Sequence, residues 1–171
     1  MQFNVAQLLQ EAVGTIQKHT LDVTLEPSED TQSDHVWGQV QFMHVSKGIW
    51  VSGLLNANGS CVCSRCLQAY QVSLQFALNE VYFPVLDINT GTPQALPEDA
   101  DPDCTVDEHH ILDITEAVRQ SLIVAVPMKP LCRPDCAGLC PECGVDRNRV
   151  SCHCQDKNAD PRWAPMLKLA R

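Results

Sequence analysis

The sequence predicts an α+β protein. It should have a mostly antiparallel β-sheet body with an N-terminal helix and one later helix, followed by a small zinc-ribbon-like C-terminal module. Three observations carry this prediction. Residues 70–82 alternate with period two, Tyr70, Val72, Leu74, Phe76 and Leu78 against Gln71, Ser73, Gln75, Ala77 and Asn79, as a strand with one buried face must. Ser46-Lys47-Gly48 sits between two further apolar runs and has the composition of a hairpin turn. Six cysteines fall within the last forty residues, spaced Cys132-x3-Cys136-x3-Cys140-x2-Cys143-x8-Cys152-x-Cys154.

The elements follow in order. A helix is expected after Asn4, which can cap it with Gln7 three residues on, and Val5, Leu8, Leu9 and Ala12 share one face. Gly14 suits its stop. Leu21–Glu26 alternates with period two and ends at Pro27, as a half-buried strand does. Val36–Val45 and Ile49–Leu55 read as the two arms of the hairpin, with Val40 and Phe42 on the buried face. Connections this short favour antiparallel pairing, because parallel strands need long crossovers. Residues 87–110 hold several prolines and seven acidic side chains without Lys or Arg, and read as an acidic, flexible loop. Asp113-Ile114-Thr115-Glu116 then opens a helix in which Ile114, Val118 and Leu122 lie four apart, and Pro127 ends it. The body is therefore assigned to 1–127 and the cysteine-rich tail to 128–171.

Composition bounds the function. The hydrophobic share of 44% supports a packed core, and the net charge is -9. Residues 1–127 carry 16 acidic and 4 basic side chains, whereas residues 128–171 carry 5 and 8. A wholly nucleic-acid-coating surface is excluded by this balance. Only the tail can present a basic face. Met1–Val5 lacks the basic and apolar regions of a signal peptide, and no apolar run is long enough to span a bilayer. A cytoplasmic, reducing location is expected, in which ten cysteines serve metal or chemistry rather than a disulfide scaffold.

The cysteine spacing points to zinc. Cys140-Pro141-Glu142-Cys143-Gly144 has the outline of a zinc knuckle, in which two thiolates reach one ion and the glycine permits the turn. Cys152 and Cys154 can complete four sulfurs, or Cys132 or Cys136 can replace one of them. Cys63-Ser64-Arg65-Cys66 is a second short pair. It is either half of a zinc site completed by Cys132 and Cys136, or a redox pair. His153 lies between two candidate ligands and is read as a bystander. The chain has no G-x-S-x-G elbow, P-loop or H-E-x-x-H, so no enzyme and no small-molecule substrate are expected.

Cys63-Ser64-Arg65-Cys66-Leu67 resembles the C-x-R-C-L signature of the YceD family, the large ribosomal RNA subunit accumulation proteins. Pro130 to Gly144 is similar to the C-terminal extension of many bacterial members, and Asp160-Pro161-Arg162-Trp163 to their closing motif. Gly48, Trp50 and Gly53 fit the strand before the signature. The resemblance implies a cytoplasmic, non-enzymatic ribosome-biogenesis factor supporting synthesis, processing or stability of large-subunit (23S) rRNA. Its expected partners are precursor ribosomal RNA or ribosomal proteins. Arg65, Arg133, Arg147, Arg149 and Arg162 stand where RNA phosphate or a partner's acid can dock. Two rivals are an acidic adaptor that binds ribosomal proteins without RNA, and a thiol oxidoreductase using Cys63 and Cys66.

Overall fold

The computed structural model describes residues 1–26, 35–98 and 100–154. The elements run β1 (Gln2–Asn4), α1 (Ala6–Gln10), β2 (Ile16–Thr24), β3 (His35–Val45), β4 (Gly48–Val62), β5 (Ala69–Pro84), β6 (Thr105–Val106), β7 (Ile111–Asp113) and α2 (Thr115–Ala125). They build a seven-stranded sheet in the order β1-β7-β6-β5-β4-β3-β2.

The long antiparallel hairpins follow the sequence pattern. β2 pairs with β3 from Ile16↔Met43 to Thr24↔His35, and β3 with β4 from His35↔Asn58 to Val45↔Gly48. Ser73 Oγ donates to Asn58 and Gln75 Nε2 to Asn56, rungs that fall in antiparallel register between β5 and β4. Alternation puts Val36, Val40 and Phe42 of β3, and Ile49, Val51 and Leu55 of β4, into one buried layer. Phe76, Leu78 and Tyr82 of β5 join it, with Val118 and Leu122 of α2 packed in the same core.

The sheet is mixed rather than purely antiparallel. β5 pairs parallel with β6 at Phe83↔Thr105 and Pro84↔Val106. The physical reason is length: the connection over 85–104 is long enough to carry the chain back and start a strand in the same direction, unlike the tight turns elsewhere. The stretch read as a loop thus contributes Val106 and Cys104 to the core. Its start is organised by Asp87, whose Oδ1 accepts from the amides of Asn89 and Thr90 at 3.0 and 2.8 Å. These bonds hold the Asp87 carboxyl below its usual range.

Two other expectations shift. The first helix is only five residues long, and Ala12 is exposed. Asn4 does accept from the amide of Ala6 at 3.1 Å, but it also ends β1, a strand too short to show a period. The helix stops early because Gly14 donates to the His44 carbonyl at 2.8 Å, which begins the β2–β3 register. At α2, Asp113 Oδ1 accepts from the Thr115 amide at 2.8 Å, and Ile114, Val118 and Leu122 are all buried.

The chain forms two compact units, Met1–Cys61 with Gln71–Met128, and Val62–Tyr70 with Lys129–Arg171. The split at 127/128 read from the sequence leaves out Val62–Tyr70, the tip of the β4–β5 hairpin, which groups with the tail. No helix among the described residues is long and apolar enough to cross a membrane.

β4 runs between β3 and β5, and a Cβ at Gly48 would stand 2.1 Å from the Tyr82 carbonyl oxygen. Gly48→Ala must therefore displace backbone. A loss of about 1–3 kcal/mol is expected in urea unfolding, and an unchanged midpoint would contradict this packing.

Candidate metal centres

Two cysteine tetrads assemble in the second unit. Cys63, Cys66, Cys132 and Cys136 form one, and Cys140, Cys143, Cys152 and Cys154 the other; within each, all sulfurs lie within 4.8 Å of one another. None of the ten cysteines is in a disulfide. In the first tetrad Cys63 Sγ lies 3.8 Å from Cys136 Sγ, and Cys66 Sγ 3.7 Å from Cys132 Sγ. Four sulfurs arranged tetrahedrally, each about 2.3 Å from one ion, lie about 3.8 Å apart. A disulfide would need about 2.05 Å. Each tetrad can therefore hold a metal ion.

The sequence left the candidate sets open, and the fold groups the sulfurs into two. Cys132 and Cys136 complete the Cys63–Cys66 pair and do not substitute for Cys152 or Cys154. His153 is exposed and outside both tetrads. Cys104 belongs to the core of the first unit.

The two Cys-x-x-Cys turns share one backbone design. The Leu67 amide donates to the Cys63 carbonyl at 2.9 Å, and the Cys63 amide to the Gln68 carbonyl at 2.9 Å. In the second turn Gly144 donates to Cys140 at 2.9 Å, and Cys140 to Val145 at 2.8 Å. The residue after the second cysteine is left-handed in both, Leu67 at φ 58° and Gly144 at φ 72°. Glycine adopts that conformation without steric cost, whereas a side chain costs about 1–2 kcal/mol.

These turns also tune the thiols. The Cys132 and Cys66 amides donate to Cys63 and, against burial, lower its pKa to about 6. The Cys143 and Glu142 amides do the same for Cys140, also to about 6. Burial, and then the neighbouring Cys136 thiol, push Cys132 up to about 12. The contact with Cys143, and then burial, push Cys154 up to about 12. Each tetrad thus contains one thiol disposed to ionise and another whose ionisation a nearby thiolate opposes. A divalent ion removes that opposition.

Residues around the first tetrad hold it in place. Asn148 Nδ2 reaches Cys136 Sγ at 3.4 Å and donates to Asp146 Oδ1 at 2.7 Å. Its Oδ1 accepts from the Ala137 amide at 2.8 Å and from Arg133 Nη2 at 2.6 Å. Asp146 Oδ2 accepts from Gln68 Nε2 at 3.1 Å, which joins the tail to the hairpin tip. The Asn148 amide, burial notwithstanding, helps to lower the Asp146 pKa. Sequence reasoning singled out none of these three polar residues. The Asp146-x-Asn148 spacing of an Asx turn was the available signal.

The arginines proposed for docking have mixed surroundings. Arg65 Nη1 donates to the Cys136 carbonyl at 2.9 Å, and its own carbonyl accepts from Leu139 at 3.1 Å. Arg133 Nε lies 3.6 Å from Asp135, and Arg149 Nε lies 3.6 Å from Asp146. Arg133, Arg147 and Arg149 are exposed, and Arg162 lies outside the described residues.

Substituting Leu67→Gly should relieve the left-handed strain and raise the stability of the metal-loaded protein by about 0.5–1 kcal/mol. Thermal denaturation of the full chain checks this; a lower melting temperature would mean that the Leu67 side chain itself holds the turn.

The chain is 34% identical over 126 residues to a protein of Mycobacterium tuberculosis described as uncharacterized, a match covering 73% of this chain and 57% of that relative. A Mycobacterium leprae protein with the same description is 35% identical over 130 residues, covering 73% of this chain and 54% of the relative. The chain thus spans little more than half the length of the curated relatives it matches. No solved structure matches. Residues 51–170 match the family described as large ribosomal RNA subunit accumulation protein YceD, a span that contains both tetrads. With its C-x-R-C-L turn built into the first tetrad and a cysteine-rich extension supplying the second, this chain belongs to the YceD family.

Proposed function

We propose that the protein is a non-enzymatic, cytoplasmic ribosome-biogenesis factor that supports the synthesis, processing or stability of 23S rRNA. Two zinc ions, one per tetrad, would shape its second unit. Membership of a family described by large-subunit rRNA accumulation carries this reading. The donor sets support zinc, because four thiolates in a closed tetrahedron suit a structural zinc ion and leave no position for a substrate. Among the described residues of this unit apolar burial is slight: the buried cluster is Cys63, Cys66 and Cys136, flanked by Tyr70, Leu131 and Cys132. Metal binding then supplies folding free energy that packing does not.

The exposed Arg133, Arg147 and Arg149 are the candidate contacts to rRNA phosphate or to an acidic partner group. Arg65 acts within the unit, through Cys136. The rival reading, an acidic adaptor for ribosomal proteins, is favoured by the 16 acidic against 4 basic side chains of residues 1–127.

Depletion in the native host should lower mature large-subunit rRNA relative to small-subunit rRNA, and unchanged rRNA would remove the reading. Elemental analysis should find about two zinc ions per chain. Zinc affinity should fall as pH falls. It should fall more steeply below about 6, where zinc must also displace the protons of Cys63 and Cys140. A chelator-competition titration reads this slope, and a slope constant through that region would contradict the assignment of the two low-pKa thiols.

A further inference from the structure

The first unit carries a sheet face that the metal centres do not use. On β2–β5 the residues alternating with the core, Gly48 apart, are exposed or half-buried, and among them only Lys18 and Asp22 bear formal charge. This is a sharp depletion in a chain with 21 acidic residues. Asp22 is already engaged, its Oδ1 lying 2.8 Å from His35 Nε2. An apolar row crosses three strands, Ile16 opposite Met43 and Met43 opposite Trp50. Leu54 is 55% exposed nearby, and Trp37 stacks on His35 with ring centroids 5.2 Å apart. Two of the chain's three tryptophans therefore lie on one face.

Depletion of charge with enrichment in Trp and Met marks the centre of a protein interface. Charge then selects the occupant. RNA would need cations on this face, and Lys18 alone cannot offset a body with 16 acidic and 4 basic side chains. A second copy brings the same negative charge and is repelled. A cationic polypeptide is drawn to the acidic body and can place apolar side chains on the neutral floor.

We infer that the open face of β2–β5 docks a cationic protein segment whose apolar residues pack on Ile16, Met43, Trp50 and Leu54. This deepens the reading above, on which it rests for the choice of a ribosomal partner. Its physical basis is the face itself, so rRNA levels test the one and peptide binding the other.

The test uses the zinc-loaded full chain and fluorescence anisotropy of a labelled alternating lysine–leucine peptide, with a glutamate–leucine peptide as control. The lysine–leucine peptide should bind, weaken with salt, and lose about tenfold in affinity on Trp50→Gln or Leu54→Gln. Both substitutions preserve charge, so attraction by the acidic body alone would not register them. Two positions, each checked for an unchanged melting temperature, guard against misfolding of one variant. Absence of binding, equal binding by the control peptide, or affinity unaltered by both substitutions would overturn the proposal. So would poly(U) binding that Trp50→Gln abolishes, or a native dimer that Trp50→Gln dissociates.

Discussion

Four sulfur atoms within 4.8 Å cannot all be ionised beside one another in the absence of a cation, and the second unit is organised around two such sets. Charge repulsion, burial and backbone amides divide each set into thiols that ionise early and thiols that resist. A single dication would satisfy them together. Such an ion would join the hairpin tip at Cys63–Cys66 to the tail at Cys132–Cys136, segments separated by more than sixty residues. Among the described residues few apolar side chains are available to do so instead.

The tetrads differ in how deeply they are built in. In the first, Cys63, Cys66 and Cys136 are buried, and Arg65, Gln68, Asp146 and Asn148 bond across its edges. Such outer groups fix the orientation of ligands and so the strength with which they bind. The second draws all four ligands from residues 140–154, with Cys143 and Cys154 exposed. Both nevertheless begin with the same hydrogen-bonded turn. One turn places glycine at the left-handed position, the other leucine, so the backbone bonds rather than the residue there define the design.

The two units separate two kinds of chemistry. The first has a hydrophobic core, an acidic composition and a neutral sheet face bearing Trp37 and Trp50. The second has sulfur at its centre and exposed arginines around it. On the proposed ribosomal role, the arginines suit phosphate and the neutral face suits a cationic protein. Nucleoprotein assembly presents both.

Much of this was determined by sequence alone. Period-two alternation fixed the faces of β3 and β5, because a strand's side chains alternate whatever surrounds them. Four-residue spacing fixed the buried side of α2, and Cys-x-x-Cys spacing marked the two turns that carry candidate ligands. Tertiary structure decided what local pattern cannot carry. The β5–β6 pair is parallel because the chain has room over 85–104 to return, and two residues are too few to show a period. The partners of Cys63 and Cys66 depend on which distant thiols the fold brings within reach. The work of Asn148, Asp146 and Arg65 is equally nonlocal, since a polar side chain's role is set by the atoms it meets.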